Sequence, residues 1–311
     1  MSANDVSEGL VSQLIRERRV DSGGVSLAVR ERGRRGQPSI LLLHGYPDNQ
    51  QVWNRVAERL ATDYHVISYD VRGAGQSDRP LQVADYRLEQ LADDLRAVIN
   101  AVSPDRPVHL VAHDWGSIQA WEALGVAEAS RYFASFTSVS GPCIDHIGEY
   151  LSAAIRLPRQ GLLPAFLDQL PRSWYILMFQ LPWLAERLWR SRFASWWPQI
   201  LARTEGIVAE TSATQAEDGA FGPQLYRANV IARLRRPQNR TVTLPTQVLI
   251  LRDDPHVSAR LLRALLKFQT ARLPRLTVHE LPGGHWLPLA QPELLTERVD
   301  EWVRVQEATL A

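Results

Sequence analysis

Short apolar runs alternate with amphipathic segments along most of the chain. The apolar runs predict strands at 18–21, 25–32, 39–43, 65–69, 108–112, 133–139, 247–251 and 276–281. Apolar positions spaced three and four residues apart predict helices at 52–60, 88–102, 115–127, 259–268 and 292–306. Gly23 and Gly24, between the first two runs, predict a hairpin. Because the later strands and helices alternate, we expect an α/β fold whose mostly parallel central sheet is flanked by helices.

The alternation stops between residues 142 and 236. This stretch is rich in proline and tryptophan, and its remaining pattern is helical. It therefore predicts an inserted helical cap at 142–236. The core then consists of residues 19–141 and 237–311, and a polar leader at 1–18 precedes it.

Composition restricts the class of protein. Of the 311 residues, 45% are hydrophobic and 22% charged, as in ordinary globular proteins. A net charge of +1 argues against a nucleic-acid partner, because phosphate binding needs a concentrated basic surface. The single cysteine, Cys143, excludes an intrachain disulfide and a metal-binding cysteine cluster. No segment resembles a secretory signal or a transmembrane helix, so we expect a cytoplasmic protein, with a homo-oligomer possible.

Chemically active side chains follow three of the predicted strands. Asp114 lies in Ala112-His113-Asp114-Trp115-Gly116, where a small-x-nucleophile-x-small turn leads from a strand into a helix. An aspartate before a helix is commonly an N-cap. However, Asp253-Asp254 and His285 follow two later strands, and the carboxyl ends of parallel strands meet at one edge of a sheet. A carboxylate in the nucleophile position would attack alkyl carbon, and it is already ionised near neutral pH.

Four motifs, in this order, resemble those of the epoxide hydrolase branch of the α/β-hydrolases. They are His44-Gly45-Tyr46-Pro47, Asp70-Val71-Arg72-Gly73-Ala74-Gly75-Gln76-Ser77, His113-Asp114-Trp115-Gly116-Ser117 and Gly283-Gly284-His285-Trp286. The resemblance implies an α/β-hydrolase fold in which Asp114 is the nucleophile and His285 activates a water molecule. It also implies that the backbone N–H groups of Tyr46 and Trp115 form an oxyanion hole.

The resemblance extends into the cap, where epoxide hydrolases use two tyrosines to donate hydrogen bonds to the epoxide oxygen. Ser173-Trp174-Tyr175, followed by Phe179-Gln180, resembles the first tyrosine motif, and Leu225-Tyr226-Arg227-Ala228-Asn229 resembles the second. We therefore expect Tyr175, Tyr226 and Trp115 to contact the substrate. The other cap tryptophans are expected to pack against one another.

The acid that supports His285 has three candidates. The strand-loop pattern of the family places the acid just before Pro255-His256-Val257, which favours Asp254 over Asp253. Asp145 follows an earlier predicted strand, where some relatives place their acid, and is the third candidate.

The resemblance implies a reaction between a small apolar epoxide and water, without metal or cofactor, that gives a vicinal diol through a covalent ester on Asp114. A haloalkane dehalogenase would use the same nucleophile, but those enzymes typically carry asparagine where this chain has Tyr46. A catalytically silent ligand-binding protein of the same fold is an alternative of another class. The complete set of apparent catalytic groups argues against it.

Overall fold

In the part of the chain that the structure describes, eight strands form one sheet at the centre of the molecule. The computed structural model describes residues 14–157, 161–209 and 212–310, so residues 1–13 of the predicted leader lie outside the described residues. The strands are β1 (Arg16–Ser22), β2 (Val25–Arg32), β3 (Ser39–Leu43), β4 (His65–Tyr69), β5 (Val108–His113), β6 (Phe133–Val139), β7 (Thr246–Leu251) and β8 (Leu276–Leu281). In the sheet they lie in the order β1-β2-β4-β3-β5-β6-β7-β8. β2 pairs antiparallel with β1 and with β4, and the remaining pairs are parallel. The predicted strands and the mostly parallel sheet are confirmed.

Helices cover both faces of this sheet. The α-helices outside residues 142–236 are Asn54–Leu60, Leu88–Val102, Trp115–Leu124, Ala129–Tyr132, Ala259–Phe268, Leu287–Ala290 and Pro292–Leu310. Short 3-10 helices lie at Gln50–Trp53, Val83–Tyr86 and Thr270–Arg272. The predicted helix at 115–127 is too long, because Gly125 caps it after Leu124.

Burial on both faces explains why the central strands are continuous apolar runs. Every residue of β3, β4, β5 and β7 is buried. Parallel strands that are covered on both sides have this composition, since neither face meets water. The strand ends are therefore held rigidly and can position side chains for chemistry.

The stretch that we call the cap, residues 142–236, is helical in the described residues. Its α-helices are Ile144–Arg156, Leu163–Gln169, Trp174–Gln180, Leu184–Leu188, Ala194–Glu205, Gln215–Phe221 and Pro223–Arg235. A 3-10 helix lies at Leu170–Ser173 and a π-helical turn at Trp189–Phe193. The domain boundaries themselves stay a prediction. Within the described parts of the chain, no helix has the length and hydropathy needed to cross a membrane.

Buried polar side chains fasten the cap to the sheet-bearing part of the chain. The carboxylate of Asp218 accepts hydrogen bonds from the backbone N–H of Gly75 at 2.8 Å and from the amide of Asn49 at 2.9 Å. The side chain of Asn229 accepts a hydrogen bond from the N–H of Leu88 at 2.9 Å. Buried polar groups of this kind are costly unless they are paired, so the pairs fix the seating of the cap helices.

Candidate active site

Asp114 occupies a strained turn between β5 and the helix Trp115–Leu124. Its backbone has φ 51° and ψ −123°, a conformation that residues other than glycine rarely adopt. A Cβ atom on Gly116 would lie 2.3 Å from the carbonyl oxygen of Leu43, and one on Gly141 would lie 2.3 Å from the carbonyl oxygen of Asp114. The turn is therefore possible only with small residues around it, and it directs the Asp114 side chain away from the sheet.

The two carboxylate oxygens of Asp114 have different surroundings. Oδ1 accepts a hydrogen bond from the backbone N–H of Tyr46 at 2.8 Å, and the backbone N–H of Trp115 also faces this carboxylate. A Cβ atom on Gly45 would lie 2.3 Å from Oδ1, so glycine is needed beside it. Oδ2 lies 3.6 Å from Nε2 of His285. The two N–H groups predicted to form an oxyanion hole thus both face the carboxylate of Asp114, and that of Tyr46 is bonded to Oδ1.

His285 lies between two carboxylates. Its Nδ1 donates a hydrogen bond to Oδ2 of Asp254 at 3.0 Å, while its Nε2 faces Asp114. Oδ1 of Asp254 accepts hydrogen bonds from the backbone N–H groups of His256 at 2.7 Å and Val257 at 2.9 Å. The side chain of Asp254 is therefore fixed by its own loop and presents its second oxygen to His285.

The two other candidate acids lie elsewhere. Asp253 is exposed and accepts a hydrogen bond from the N–H of Gly283 at 3.2 Å. Asp145 is buried against Arg240 at 3.2 Å and Arg233 at 3.5 Å. Of the three candidates, the structure brings only Asp254 to the imidazole of His285.

Electrostatic coupling favours a charged resting state for the three side chains. Burial alone would lower the pKa of His285, but the carboxylates of Asp254 and Asp114 raise that pKa well above its ordinary value. Burial would raise the pKa of Asp114, yet the hydrogen bond and charge of His285 hold it below its ordinary value. Burial likewise opposes ionisation of Asp254, but the charge and hydrogen bond of His285 bring its pKa well below the usual range. In the resting state, His285 is therefore an imidazolium between the carboxylates of Asp114 and Asp254.

The cap brings both predicted tyrosines to Asp114. The rings of Tyr175 and Tyr226 are 6.0 Å apart at 84°, and Tyr226 packs 4.7 Å from the ring of Trp115. Burial raises the pKa of both phenols, and the charge of Asp114 raises them further. Both hydroxyls therefore stay protonated near neutral pH and can act as hydrogen-bond donors.

Two cavities meet at these side chains. The larger, of about 900 Å³, and the smaller, of about 310 Å³, share five lining residues: Asp114, Trp174, Tyr175, Tyr226 and His256. The larger cavity is also lined by Trp189 and Trp197, which pack against each other at 5.2 Å. The expectation that the cap tryptophans only pack was therefore incomplete. Trp115 borders the smaller cavity.

Sequence reasoning missed two side chains near His285. His256 lies 4.9 Å from the ring of His285 and 5.8 Å from that of Tyr175, and burial together with the charge of His285 lowers its pKa to about 4. Asp48 accepts a hydrogen bond from the indole of Trp286 at 2.9 Å, and burial raises its pKa to about 7. The sequence signals were weak: each residue directly follows a motif proline, but nothing local shows that it faces the site.

The described residues contain no group of three or more histidine, cysteine, aspartate or glutamate side chains that could hold a metal ion. The polar groups at the junction of the cavities are the carboxylate of Asp114, the imidazole of His285 bonded to Asp254, backbone donors and two phenols. This set can form and hydrolyse an ester, because it supplies a nucleophile, a base and hydrogen-bond donors for a developing oxyanion.

Comparison with known proteins identifies the family to which this chain belongs. Residues 38–292 match the family described as alpha/beta hydrolase fold. Probable oxidoreductase EphD of Mycobacterium tuberculosis is 34% identical over 92% of this chain and 49% of its own length, so the chain spans about half the length of this curated relative. Epoxide hydrolase 3 of Mus musculus is 30% identical over 93% of this chain and 76% of that protein. A crystal structure of Bacillus megaterium epoxide hydrolase with an inhibitor shares the fold, with a TM-score of 0.75, 20% identity and coverage of 92% of this chain and 100% of that one. The chain therefore belongs to the epoxide hydrolase family of the α/β-hydrolases.

Proposed function

We propose that this protein hydrolyses epoxides to vicinal diols through a covalent ester on Asp114. One observation carries the proposal: Oδ1 of Asp114 faces the backbone donor of Tyr46, while Oδ2 faces His285. A carboxylate held in this way has one oxygen already in the position of an ester carbonyl and the other available for attack. The names of relatives such as epoxide hydrolase 3 support the substrate class.

The first step forms the ester. Oδ2 of Asp114 supplies an electron pair to one oxirane carbon, and the bond from that carbon to the ring oxygen breaks with its electrons left on oxygen. Tyr175 and Tyr226 donate hydrogen bonds to this oxygen, which then takes up a proton. The ester carbonyl oxygen is Oδ1, which keeps its hydrogen bond from Tyr46.

Ester formation also prepares the base for the second step. Because alkylation removes the negative charge of Asp114, one of the two causes that raise the pKa of His285 disappears. The proton that His285 then loses balances the proton that the alkoxide gains. Neutral His285 can next accept a proton from water.

The second step hydrolyses the ester. Water attacks Cγ of Asp114 as its proton passes to Nε2 of His285, and Asp254 stabilises the imidazolium that forms. Negative charge develops on Oδ1, where the N–H groups of Tyr46 and Trp115 can stabilise it. The bond between Cγ and Oδ2 then breaks, and Oδ2 takes up the second proton of water to become the new hydroxyl of the diol. The carboxylate is restored with the oxygen of water, and His285 is again an imidazolium.

The cavities favour an apolar substrate. Aromatic and aliphatic side chains dominate both linings, and a binding site accepts groups of its own polarity. Because the cavities of about 900 Å³ and 310 Å³ meet at Asp114, an epoxide could carry an apolar substituent on each ring carbon. The small apolar epoxide expected from the sequence would leave most of this space empty. The cytoplasmic location, the oligomeric state and the absence of a nucleic-acid partner stay predictions.

The dehalogenase alternative lacks comparable support. A halide site would need donors that are free to face the leaving group. The hydroxyl of Tyr46 instead donates to the carbonyl oxygen of Gly219 at 3.0 Å and accepts from the indole of Trp189 at 2.6 Å. The two phenols suit an oxygen leaving group that remains attached to the substrate.

Trapping the ester tests the proposal. In a His285→Gln variant, alkylation should proceed while hydrolysis stops, so intact-protein mass spectrometry should show a mass increase equal to that of the epoxide. Peptide mapping should place the adduct on Asp114, and Asp114→Asn should show none. Absence of any adduct across a panel of aliphatic and aromatic epoxides would favour the silent binding protein, and halide release without diol formation would favour the dehalogenase.

A further inference from the structure

An exposed apolar surface surrounds the openings of the two cavities. Five cap side chains, which we call the collar, both reach the surface and line a cavity: Leu167, Leu170, Trp174, Leu177 and Leu188. Trp174 is 63% exposed and Leu177 is 73% exposed. Single exposed apolar side chains are common on proteins, but a contiguous group beside a cavity indicates an interaction surface.

The turn before the helix Leu184–Leu188 extends this surface. Trp183 has φ 62°, a left-handed conformation that a bulky residue rarely takes, yet its ring remains 68% exposed. The strain is therefore not offset by burial of the ring within the protein. Leu184 is also exposed and lies one helical turn before the collar residue Leu188, on the same helix face.

The acidic side chains of residues 161–209, the stretch that carries the collar, already have partners. Residues 161–209 contain only three of them. Asp168 accepts a hydrogen bond from the hydroxyl of Ser258, and Glu186 forms an ion pair with Arg227 at 2.5 Å. Glu205 faces the backbone N–H groups of the loop that carries His285. None of the three is available to repel an anionic partner strongly.

Arginines, in contrast, are exposed beside the collar. The same stretch contains five arginines. Arg187 lies between Leu184 and Leu188 on one short helix, and Arg192 follows in the π-helical turn. Both are exposed, and neither has an acidic partner among the described residues. The surface around the cavity openings is thus both apolar and positively charged.

We propose that the collar and Trp183 dock this protein on an anionic lipid bilayer, with the cavity openings towards the membrane. Exposed tryptophan and leucine suit the interfacial layer of a bilayer, and arginine suits lipid phosphates. In a symmetric dimer through this face, Arg187 and Arg192 of one copy would face the same arginines of the other copy and repel them. This repulsion favours an anionic lipid surface over a second copy of the chain. The docking does not depend on the proposed function. Only the delivery of apolar epoxides from the bilayer to the cavities rests on the proposed function.

Vesicle flotation tests the docking. Wild-type protein should bind vesicles of phosphatidylcholine with phosphatidylglycerol and bind much less to phosphatidylcholine alone. The double variant Arg187→Glu/Arg192→Glu, and separately Trp183→Ser, should lower binding about tenfold or more. Leu81→Ser is the matched control, because Leu81 is 82% exposed but lies outside the cap; it should bind like wild type.

Three results would overturn the docking proposal. The first is no binding of wild type to either vesicle. The second is a loss of vesicle binding in Leu81→Ser as large as that in the cap variants, and the third is a concentration-dependent dimer that Trp183→Ser abolishes. Turnover of a water-soluble epoxide without vesicles is measured alongside and should be the same in all variants. If no epoxide is turned over, the proposed function fails, whereas vesicle binding remains measurable and decides the docking separately.

Discussion

At the scale of single residues, the unequal surroundings of the two Asp114 oxygens determine the proposed chemistry. Oδ1 is held by a backbone donor at 2.8 Å, and Oδ2 faces an imidazole at 3.6 Å. The backbone donor is fixed before the reaction, so it needs no rearrangement as charge develops. The hydrogen bond from His285 to Asp254 matters for a similar reason, because an imidazole without a fixed hydrogen-bond partner would lose its orientation.

Replacement of Asp254 tests that support. Asp254→Asn removes the negative charge at 3.0 Å from Nδ1 of His285, so ester hydrolysis should slow by about 10²–10⁴-fold while the ester still forms. Asp253→Asn is the matched control, since Asp253 is exposed and does not contact His285. Single-turnover kinetics with rapid quench measures both steps. Equal effects of the two substitutions would remove Asp254 from the mechanism.

Asp48 gives a pH-dependent prediction for stability. Its pKa in the folded protein is raised by burial to about 7, so between pH 4 and pH 7 the folded state keeps a proton that the unfolded chain loses. Wild type should therefore lose stability as pH rises through this range. Asp48→Asn should remove that loss, so its stability relative to wild type should increase by about 3 kcal/mol from pH 5 to pH 8.

Urea denaturation at the two pH values measures this gain. Asp105→Asn, at an exposed position, provides the control and should change little with pH. A stability difference between Asp48→Asn and wild type that is the same at pH 5 and pH 8 would show that Asp48 does not titrate in this range.

At the scale of secondary-structure elements, the site depends on two cap helices that approach Asp114 together. Tyr175 lies on Trp174–Gln180 and Tyr226 on Pro223–Arg235, and their rings are 6.0 Å apart. Removing either hydroxyl in Tyr175→Phe or Tyr226→Phe should slow ester formation by about 10²–10³-fold, because the developing alkoxide loses a donor.

The same variants separate the two steps of the proposed reaction. Hydrolysis of a preformed ester should change little, and Tyr132→Phe, outside the cap, should leave both steps unchanged. Ester formation is followed as the decrease of tryptophan fluorescence or by quenched-flow mass spectrometry. Wild-type rates in both cap variants would contradict the roles proposed for the two tyrosines.

Sequence patterns predicted the individual strands, whereas for the cap they predicted its helical character but not its individual helices, for physical reasons. Strands β3, β4, β5 and β7 are buried on both faces, and burial requires mostly apolar residues. Each strand is therefore visible in the local sequence as a short apolar run. The strained turn at Asp114 is partly visible in the local sequence, through Gly116, but it also needs Gly141, which is distant in the chain.

The cap has no comparable local signal. Its left-handed Trp183, its π-helical turn at Trp189–Phe193 and the proline inside the helix Ala194–Glu205 are set by packing between helices. The contact between Tyr175 and Tyr226 joins helices that are distant in the chain. Motif resemblance could propose these tyrosines, but only the assembled helices bring them together. His256 and Asp48 reach the site through the same assembly, which explains why sequence patterns missed them.

At the scale of the whole molecule, the cap and the sheet contribute different parts of the proposed reaction. The sheet edge supplies Asp114, His285 and Asp254 from the ends of three strands, and the cap supplies the two phenols and most of the apolar lining. Buried pairs such as Asp218 with Asn49 hold the two parts in register. The central claim is that an epoxide is opened by the carboxylate and not by water.

Oxygen labelling in a single turnover tests that claim most directly. With enzyme in excess over an epoxide in water enriched in oxygen-18, the account predicts that the first diol formed is unlabelled, because its new oxygen is Oδ2 of Asp114. The label should appear in the peptide that contains Asp114. Label in the first diol, with an unlabelled Asp114 peptide, would mean that water attacks the epoxide directly and would contradict the covalent ester.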